Sequence, residues 1–291
     1  MMLHQLQPVD WRHLVIKDIT LKLETDPARD RSLSYAMSVA KAFDAHVTAM
    51  AFCDPLGYPQ YPIPTLPASV VSNIIEEKER EAREATARFQ VAAEEAGLSF
   101  DHEIVTHRLP HSAAAFAVKA RRSDLSVIQQ AETRDDDNEA IIESALFDSG
   151  RPVLIVPYIQ KDSLRLDHVV CCWDGSSTAA RAVNDARPLL KRANKVEVLI
   201  IANEKTQDSR HQASGTGIVN HLARHGIKVA LKVVPASDVD VNNAILSYTG
   251  DHGSDLVVMG GYGHSRLREF VLGGVTRGIL GSMTTPVFMS H

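Results

Sequence analysis

DLVVMGGYGHSRLREFVLGGVT, residues Asp255 to Thr276, reads as a strand, a tight turn and a helix in succession. Leu256 to Met259 is a short apolar run rich in β-branched residues, the pattern of a strand buried on both faces of a parallel sheet. Gly260, Gly261 and Gly263 follow at once and remove Cβ atoms where the chain must bend sharply or approach a ligand. Leu267, Phe270, Val271 and Ile279 then recur at helical spacing. A helix that begins beside such a turn offers free N–H donors and a partial positive charge, which suits an anion, above all phosphate. Gly273-Gly274-Val275-Thr276 adds a second flexible stretch of backbone and a hydroxyl.

The same alternation runs outward in both directions. Upstream, His168 to Trp173, Val196 to Ala202 and Ile227 to Val234 read as strands, with helices over Thr178 to Arg192 and Asn242 to Thr249 and a helix containing His221 that closes at Gly226. Asn203 to Ser214 reads as a polar loop. In the first part of the chain, Ile16 to Glu24 alternates like a half-buried strand, Leu33, Met37, Ala40 and Phe43 fall on one helical face, and His46 to Phe52 is a second strand. The proline-rich residues 54–69 cannot be helix or central strand. A charged helix over Val70 to Ala96 ends at Gly97, and Phe100 to Thr106, a helix from His111 to Arg122, Asp124 to Gln129 and Val153 to Val156 complete the unit.

Asp124-Leu125 leads to Pro152-Val153 much as Asp255-Leu256 leads to Pro286-Val287, so the chain reads as an internal duplication. We assign residues 1–159 to a first unit, 160–167 to a polar linker and 168–291 to a second unit. Strands alternating with helices predict an α/β fold of two tandem, Rossmann-like open parallel sheets with helices on both faces, which bind ligands beyond the carboxyl ends of the strands. The first unit lacks the glycine turn and places Asp135 to Asp137 where phosphates would lie, so like-charge repulsion argues against a nucleotide there.

The spacing G-x2-G-x9-G of Gly260, Gly263 and Gly273, followed by Val275-Thr276 and later Pro286-Val287, resembles the nucleotide loop of the universal stress protein family. The resemblance implies an adenine nucleotide alpha hydrolase-like fold and a stress-response role. It further implies ATP or another adenine nucleotide, with Mg as an optional companion, held by Met259, Gly260, Gly263, Gly273, Gly274, Val275 and Thr276. By the same resemblance Asp174 reads the adenine edge and Ile201 packs near the base. ATP-binding members carry Ser or Thr where this chain has Gly274, and losing one hydroxyl to a phosphate oxygen costs about 1–3 kcal/mol. The family also implies halves packed as a pseudo-dimer, and homodimers through the last strands. A nucleotide-free scaffold of the same family is the alternative.

Other chemistries lack their residues. With 291 residues, a net charge of -5 and 5% aromatics, the chain offers neither a basic face nor stacking platforms for nucleic acid. No apolar run is long enough for a membrane span and no basic-then-apolar leader opens the sequence, so a cytoplasmic protein is expected. Its three cysteines, Cys53, Cys171 and Cys172, read as core. The glycine turn has no Gly-Lys-Ser/Thr ending, Arg266 stands at the third glycine of a dinucleotide fingerprint, and Leu267 replaces the glycine that would close a nucleophile elbow. His221 and His225 share a helical face, but Leu222 stands where a zinc-protease motif needs Glu. Asp174 could equally cap a helix, and His264, Arg266 and Arg268, placed to help neutralise phosphates, read more simply as a solvated helix face. No catalytic residue is assigned; any ATP hydrolysis would be slow, since no water-activating base can be named.

Overall fold

A computed structural model of the chain describes residues 15–53, 67–106, 111–132, 137–202, 209–236, 240–261 and 274–291. The first half carries β1 (Asp18–Lys22), α1 (Ser32–Phe43), β2 (His46–Phe52), α2 (Ala68–Ala96), β3 (Phe100–Val105), α3 (His111–Ala120), β4 (Leu125–Gln129), α4 (Asp137–Asp148) and β5 (Val153–Val156). The second carries β6 (His168–Cys172), α5 (Ser177–Asp185), α6 (Arg187–Leu190), β7 (Lys195–Ala202), α7 (Ser209–Arg224), β8 (Val229–Pro235), α8 (Val241–Asp251), β9 (Leu256–Gly260), α9 (Gly274–Ser282) and β10 (Val287–Ser290). Gly263, Gly273, the helical spacing of Leu267, Phe270 and Val271, most of the proline-rich segment, and Asp135 and Asp136 lie outside the described residues.

The strands form one ten-stranded sheet in the order β3-β2-β1-β4-β5-β10-β9-β6-β7-β8. Within each half every pairing is parallel, and the strand order reverses between β1 and β4 and between β6 and β9. The halves join through β5 and β10, which pair antiparallel with Val287 opposite Ile155 and Met289 opposite Val153. Helices cover both faces, so β1 buries Ile19 to Lys22 without exception rather than exposing alternate residues.

Alternate residues of each strand feed two apolar layers, each running through both halves. One layer joins Leu21, Leu154, Cys171 and Phe288 to Tyr35 of α1, Phe89 of α2, Val183 of α5, Leu190 of α6 and Leu222 of α7. The other joins Ile128, Ile155, Val257 and Met289 to Phe116 of α3, Leu146 of α4, Tyr248 of α8 and Ile279 of α9. Cys171 and Cys172 face opposite layers, and burial followed by the nearby Asp174 charge pushes the Cys172 thiol up to about 12. At neutral pH it is no thiolate nucleophile.

Two helices differ from the sequence reading. The segment Thr178 to Arg192 is divided, with α5 ending at Asp185 and α6 restarting with Pro188 in its first turn, where a missing N–H is harmless. The supposed loop Asn203 to Ser214 already contains the start of α7. There, tertiary packing of Ile218 and Leu222 outweighs a weakly helical sequence, and Gly215 lets the helix rest on Ile200 and Leu231.

The halves repeat key strand contacts. Asp124 accepts from the amides of Lys17 and Asp18 at the start of β1, and Asp255 accepts from the amide of His168 at the start of β6. Beyond β4 the Gln130 amide donates to Val156 O, and beyond β9 the Gly261 amide donates to Ser290 O, both at 2.8 Å. Two glycines are then explained by packing. A Cβ on Gly260 would lie 2.6 Å from both Ala179 N and Thr178 Oγ1 and 2.7 Å from Thr178 C, because the first turn of α5 sits on the end of β9. A Cβ on Gly261 would lie 2.6 Å from Leu146 Cδ2, so this glycine receives a side chain from the other half.

At the amino end of the second half, Glu197 of β7 gathers three donors. His168 Nε2 lies 2.8 Å and Tyr248 Oη 2.7 Å from its Oε2, and Lys195 Nζ lies 2.9 Å from its Oε1. Burial works to raise the carboxyl, but the bonds from Lys195, Tyr248 and His168 together hold it down to about 2.

The contacts at Gly260 involve backbone, whereas those at Gly261 involve the end of a leucine that can rotate. Gly260→Ala is therefore expected to cost about 1–3 kcal/mol in urea denaturation and Gly261→Ala roughly half of that or less. Because the folded value of Glu197 is depressed, its contribution is complete above the ordinary value of 4.5 and lost as pH falls from there toward about 2. The stability gap between wild type and Glu197→Gln, followed by urea midpoints against pH, should shrink over that window and stay flat above it.

Candidate functional site

In a sheet whose strand order reverses between β6 and β9, the crevice lies beyond their carboxyl ends. Register places Cys171 of β6 beside Val258 of β9 and Cys172 beside Leu199 of β7, so Asp174, Ile201 and Gly260 belong to one rim. α9 connects β9 to β10, which runs parallel to it, so α9 must start at that rim and end at the opposite one. Gly274, Val275 and Thr276 form its first turn.

Asp174 is exposed at the end of β6. Its Oδ1 accepts from the Ser176 amide at 2.9 Å, Gly175 takes a positive φ of 80°, and Ser176 Oγ accepts from the Ala179 amide at 3.1 Å. The cap of α5 is thus Ser176, with Asp174 shaping the turn that delivers it. Ile201 and Met259 are buried in the layer that contains Ile245 and Ile279, so they floor the rim rather than project from it. Gly274 and Val275 are exposed, whereas Thr276 is only 3% exposed and turns inward. Among the described residues, no heavy atom beyond its chain neighbours and its own helix lies within 4 Å of a Cβ built on Gly274. The first turn of α9 therefore presents backbone to the rim, with the donors and partial charge of a helix N-terminus.

The corresponding rim of the first half is filled by its own side chains. Gln129 stands at the end of β4 where Gly260 ends β9, and its Oε1 accepts from the Arg31 amide at the start of α1 at 2.7 Å. Glu24 Oε1 lies 2.9 Å from both Lys22 Nζ and Asn138 Nδ2, and Arg88 donates to the carbonyls of Glu24 and Thr25. Asp30 Oδ1 accepts from the Leu33 amide at 3.0 Å. Burial pushes the Asp30 carboxyl up to about 6, with the Leu33 bond opposing and the Glu24 charge adding. Asp135 and Asp136, expected at this rim, lie outside the described residues; among those described, Gln129, Lys22, Glu24 and Asn138 line it with the hydrogen bonds above. Gln129-Gln130 aligned on Gly260-Gly261 was the available signal.

Among the described residues no three His, Cys, Asp or Glu side chains are grouped to hold a metal ion, and no helix is long and apolar enough to cross a membrane. His221 and His225 meet edge-to-face with ring centroids 4.8 Å apart and an interplanar angle of 70°, and Arg187 Nη1 lies 3.3 Å from His225 Nε2. A guanidinium at that position competes with any cation.

Residues 165–291 match the model of the universal stress protein family. Over 148 residues the chain is 25% identical to universal stress protein Slr1230 of a Synechocystis strain, and it spans about half the length of that curated relative, 50%, using 51% of its own. Among solved structures, a universal stress protein from Archaeoglobus fulgidus superposes with a TM-score of 0.74 at 16% identity, over 96% of this chain and 98% of that one. A functionally unknown protein from Pseudomonas aeruginosa PAO1 superposes with a TM-score of 0.58 at 14% identity, over 94% and 92%. At such identities the superpositions speak for the fold across both halves. The switch-point rim, the glycine spacing around β9 and the family match all fall in the same segment, and residues 165–291 of this chain belong to the universal stress protein family.

Proposed function

We propose that residues 168–291 bind an adenine nucleotide, ATP in the first instance, at the carboxyl rim of β6, β7 and β9. Phosphates would lie toward the first turn of α9, and the base between Asp174 and the floor made by Ile201 and Met259. The observation that carries the reading is the exposed, side-chain-poor start of α9 at Gly274, on the same rim as Asp174. Backbone N–H groups at a helix start are a ready anion site. Gly263 and Gly273 belong to the proposal through the family spacing, and Mg would accompany ATP as its counter-ion.

In this reading residues 1–159 are the structural half, 160–167 the linker, and the pair behaves as a pseudo-dimer in a stress-response protein of the cytoplasm. Association of whole chains into homodimers is a further option. The role is binding, with hydrolysis at most slow. A nucleotide-free scaffold is the second reading, favoured by one observation: the space over Gly260 is taken by the first turn of α5.

Gly274 separates the two. Its Cβ direction is open, so Gly274→Ser is expected to fold normally and to supply the hydroxyl that ATP-binding relatives carry. Restoring a bond of about 1–3 kcal/mol should tighten ATP by roughly one to two decades, and Asp174→Ala should weaken it by about one decade. Equilibrium dialysis with labelled ATP measures all three proteins. Absence of saturable binding at millimolar ATP in both wild type and Gly274→Ser would establish the scaffold.

A further inference from the structure

α9 is gripped at both ends by side-chain amides from outside itself. At its start, Asn242 Nδ2 of α8 donates to the carbonyl of Gly274 at 3.0 Å. Asn242 is 9% exposed, its Oδ1 is buried without a hydrogen-bond partner among the described residues, and a Cβ on Gly278 would collide with its side-chain amide. The amide thus lies flat on the first turn of α9 in a slot that Gly278 leaves open. At the other end, Gln130 Nε2 donates to the carbonyl of Leu280 at 2.8 Å. Gln130 is 1% exposed and comes from the first half, just beyond β4. Near mid-helix, Arg277 Nη2 also approaches Glu139 Oε1 of α4 at 3.9 Å.

The pseudo-twofold shows that the Gln130 contact is not a repeated feature. Gln130 and Gly261 are equivalent by their matching strand bonds, and Leu280 and Leu146 are equivalent because each stands seven residues ahead of the strand that follows. On one side of the seam a glutamine amide reaches the Leu280 carbonyl; on the other a leucine side chain packs where Gly261 has none. The glutamine tether thus falls on α9, the helix that starts at the candidate rim, while at the equivalent place on α4 Leu146 packs against Gly261.

Resting on the nucleotide reading above, we propose that Asn242 and Gln130 are positioning residues that fix α9 as the anion-facing helix, and that the first half thereby sets the affinity of the second half's site. Losing either amide lets the first turn of α9 move relative to β9. A rim that depends on fixed donors loses affinity when those donors are no longer held in place.

The test combines ATP binding by equilibrium dialysis with amide hydrogen exchange of ligand-free protein, in wild type, Asn242→Ala, Gln130→Met and the exposed control Gln90→Ala. A net hydrogen bond of about 0.5–1.5 kcal/mol corresponds to roughly a two- to tenfold change. Both variants are expected to weaken ATP by that factor and to speed exchange in residues 274–282 similarly, with exchange in α1 unchanged and the control like wild type. If Gln130→Met fails to fold, Gln130→Asn, which keeps the amide one methylene short, takes its place. Unchanged affinity in both variants, with wild type binding, overturns the proposal and leaves the nucleotide reading standing. If wild type binds no ATP, the nucleotide reading and the control of affinity both fall; α9 exchange then decides the tether itself, faster rates supporting it and unchanged rates overturning it.

Discussion

The antiparallel pairing of β5 with β10 is the contact from which the rest of the architecture follows. Each half alone is a five-stranded parallel sheet whose last strand would be an edge, with unpaired N–H and C=O groups along it. Joining the two edges satisfies those groups and forces a local twofold perpendicular to the sheet. Faces are preserved across such an axis while strand directions reverse. Hence α1 and α2 share a layer with α5, α6 and α7, whereas the two carboxyl rims point to opposite ends of the molecule. The apolar layers cross the seam without a break, so neither half closes its core alone.

That geometry gives the two rims different fates. Around β9, two glycines admit the first turn of α5 and the side chain of Leu146, which brings neighbouring elements close. Around β4, two glutamines take the same positions, one capping α1 through Arg31 and the other crossing to α9. A pair of differences between the repeats thus separates a glycine-lined rim from one closed by a polar plug with a reach across the seam. Within the plug, the carboxylate of half-buried Glu24 accepts from both the ammonium of buried Lys22 and the side-chain amide of Asn138, the pairing a largely desolvated charge requires.

Much of the frame could be read in the residues themselves. Buried strands such as Val153–Val156 are continuous apolar runs, and the Asp-Leu pairs at Asp124 and Asp255 mark equivalent strand starts because each aspartate ties the adjacent strand's first amides. The carboxyl rim at Asp174 followed from strand alternation plus the rule for open sheets. The reason for Gly261 did not, since it depends on Leu146, a residue far away in sequence and in the other half. Gln130 was equally opaque: a buried glutamine after a strand looks like any polar loop residue until Leu280 O is placed against it. The start of α7 was missed because packing, not local preference, holds it. Ser176 rather than Asp174 caps α5 because Gly175 turns the chain one step further than a direct cap needs.

The strand order also determines how this molecule meets others of its kind. A sheet of ten strands ends in β3 and β8, and both outer strands would template further pairing if they were flat and apolar. β3 instead carries Asp101, His102 and Glu103 in succession, and β8 places Lys232 mid-strand and ends at Pro235, which has no amide to donate. Internal duplication has used up the inviting edge of each unit and left the guarded ones outermost, which keeps the chain from polymerising laterally into a ribbon.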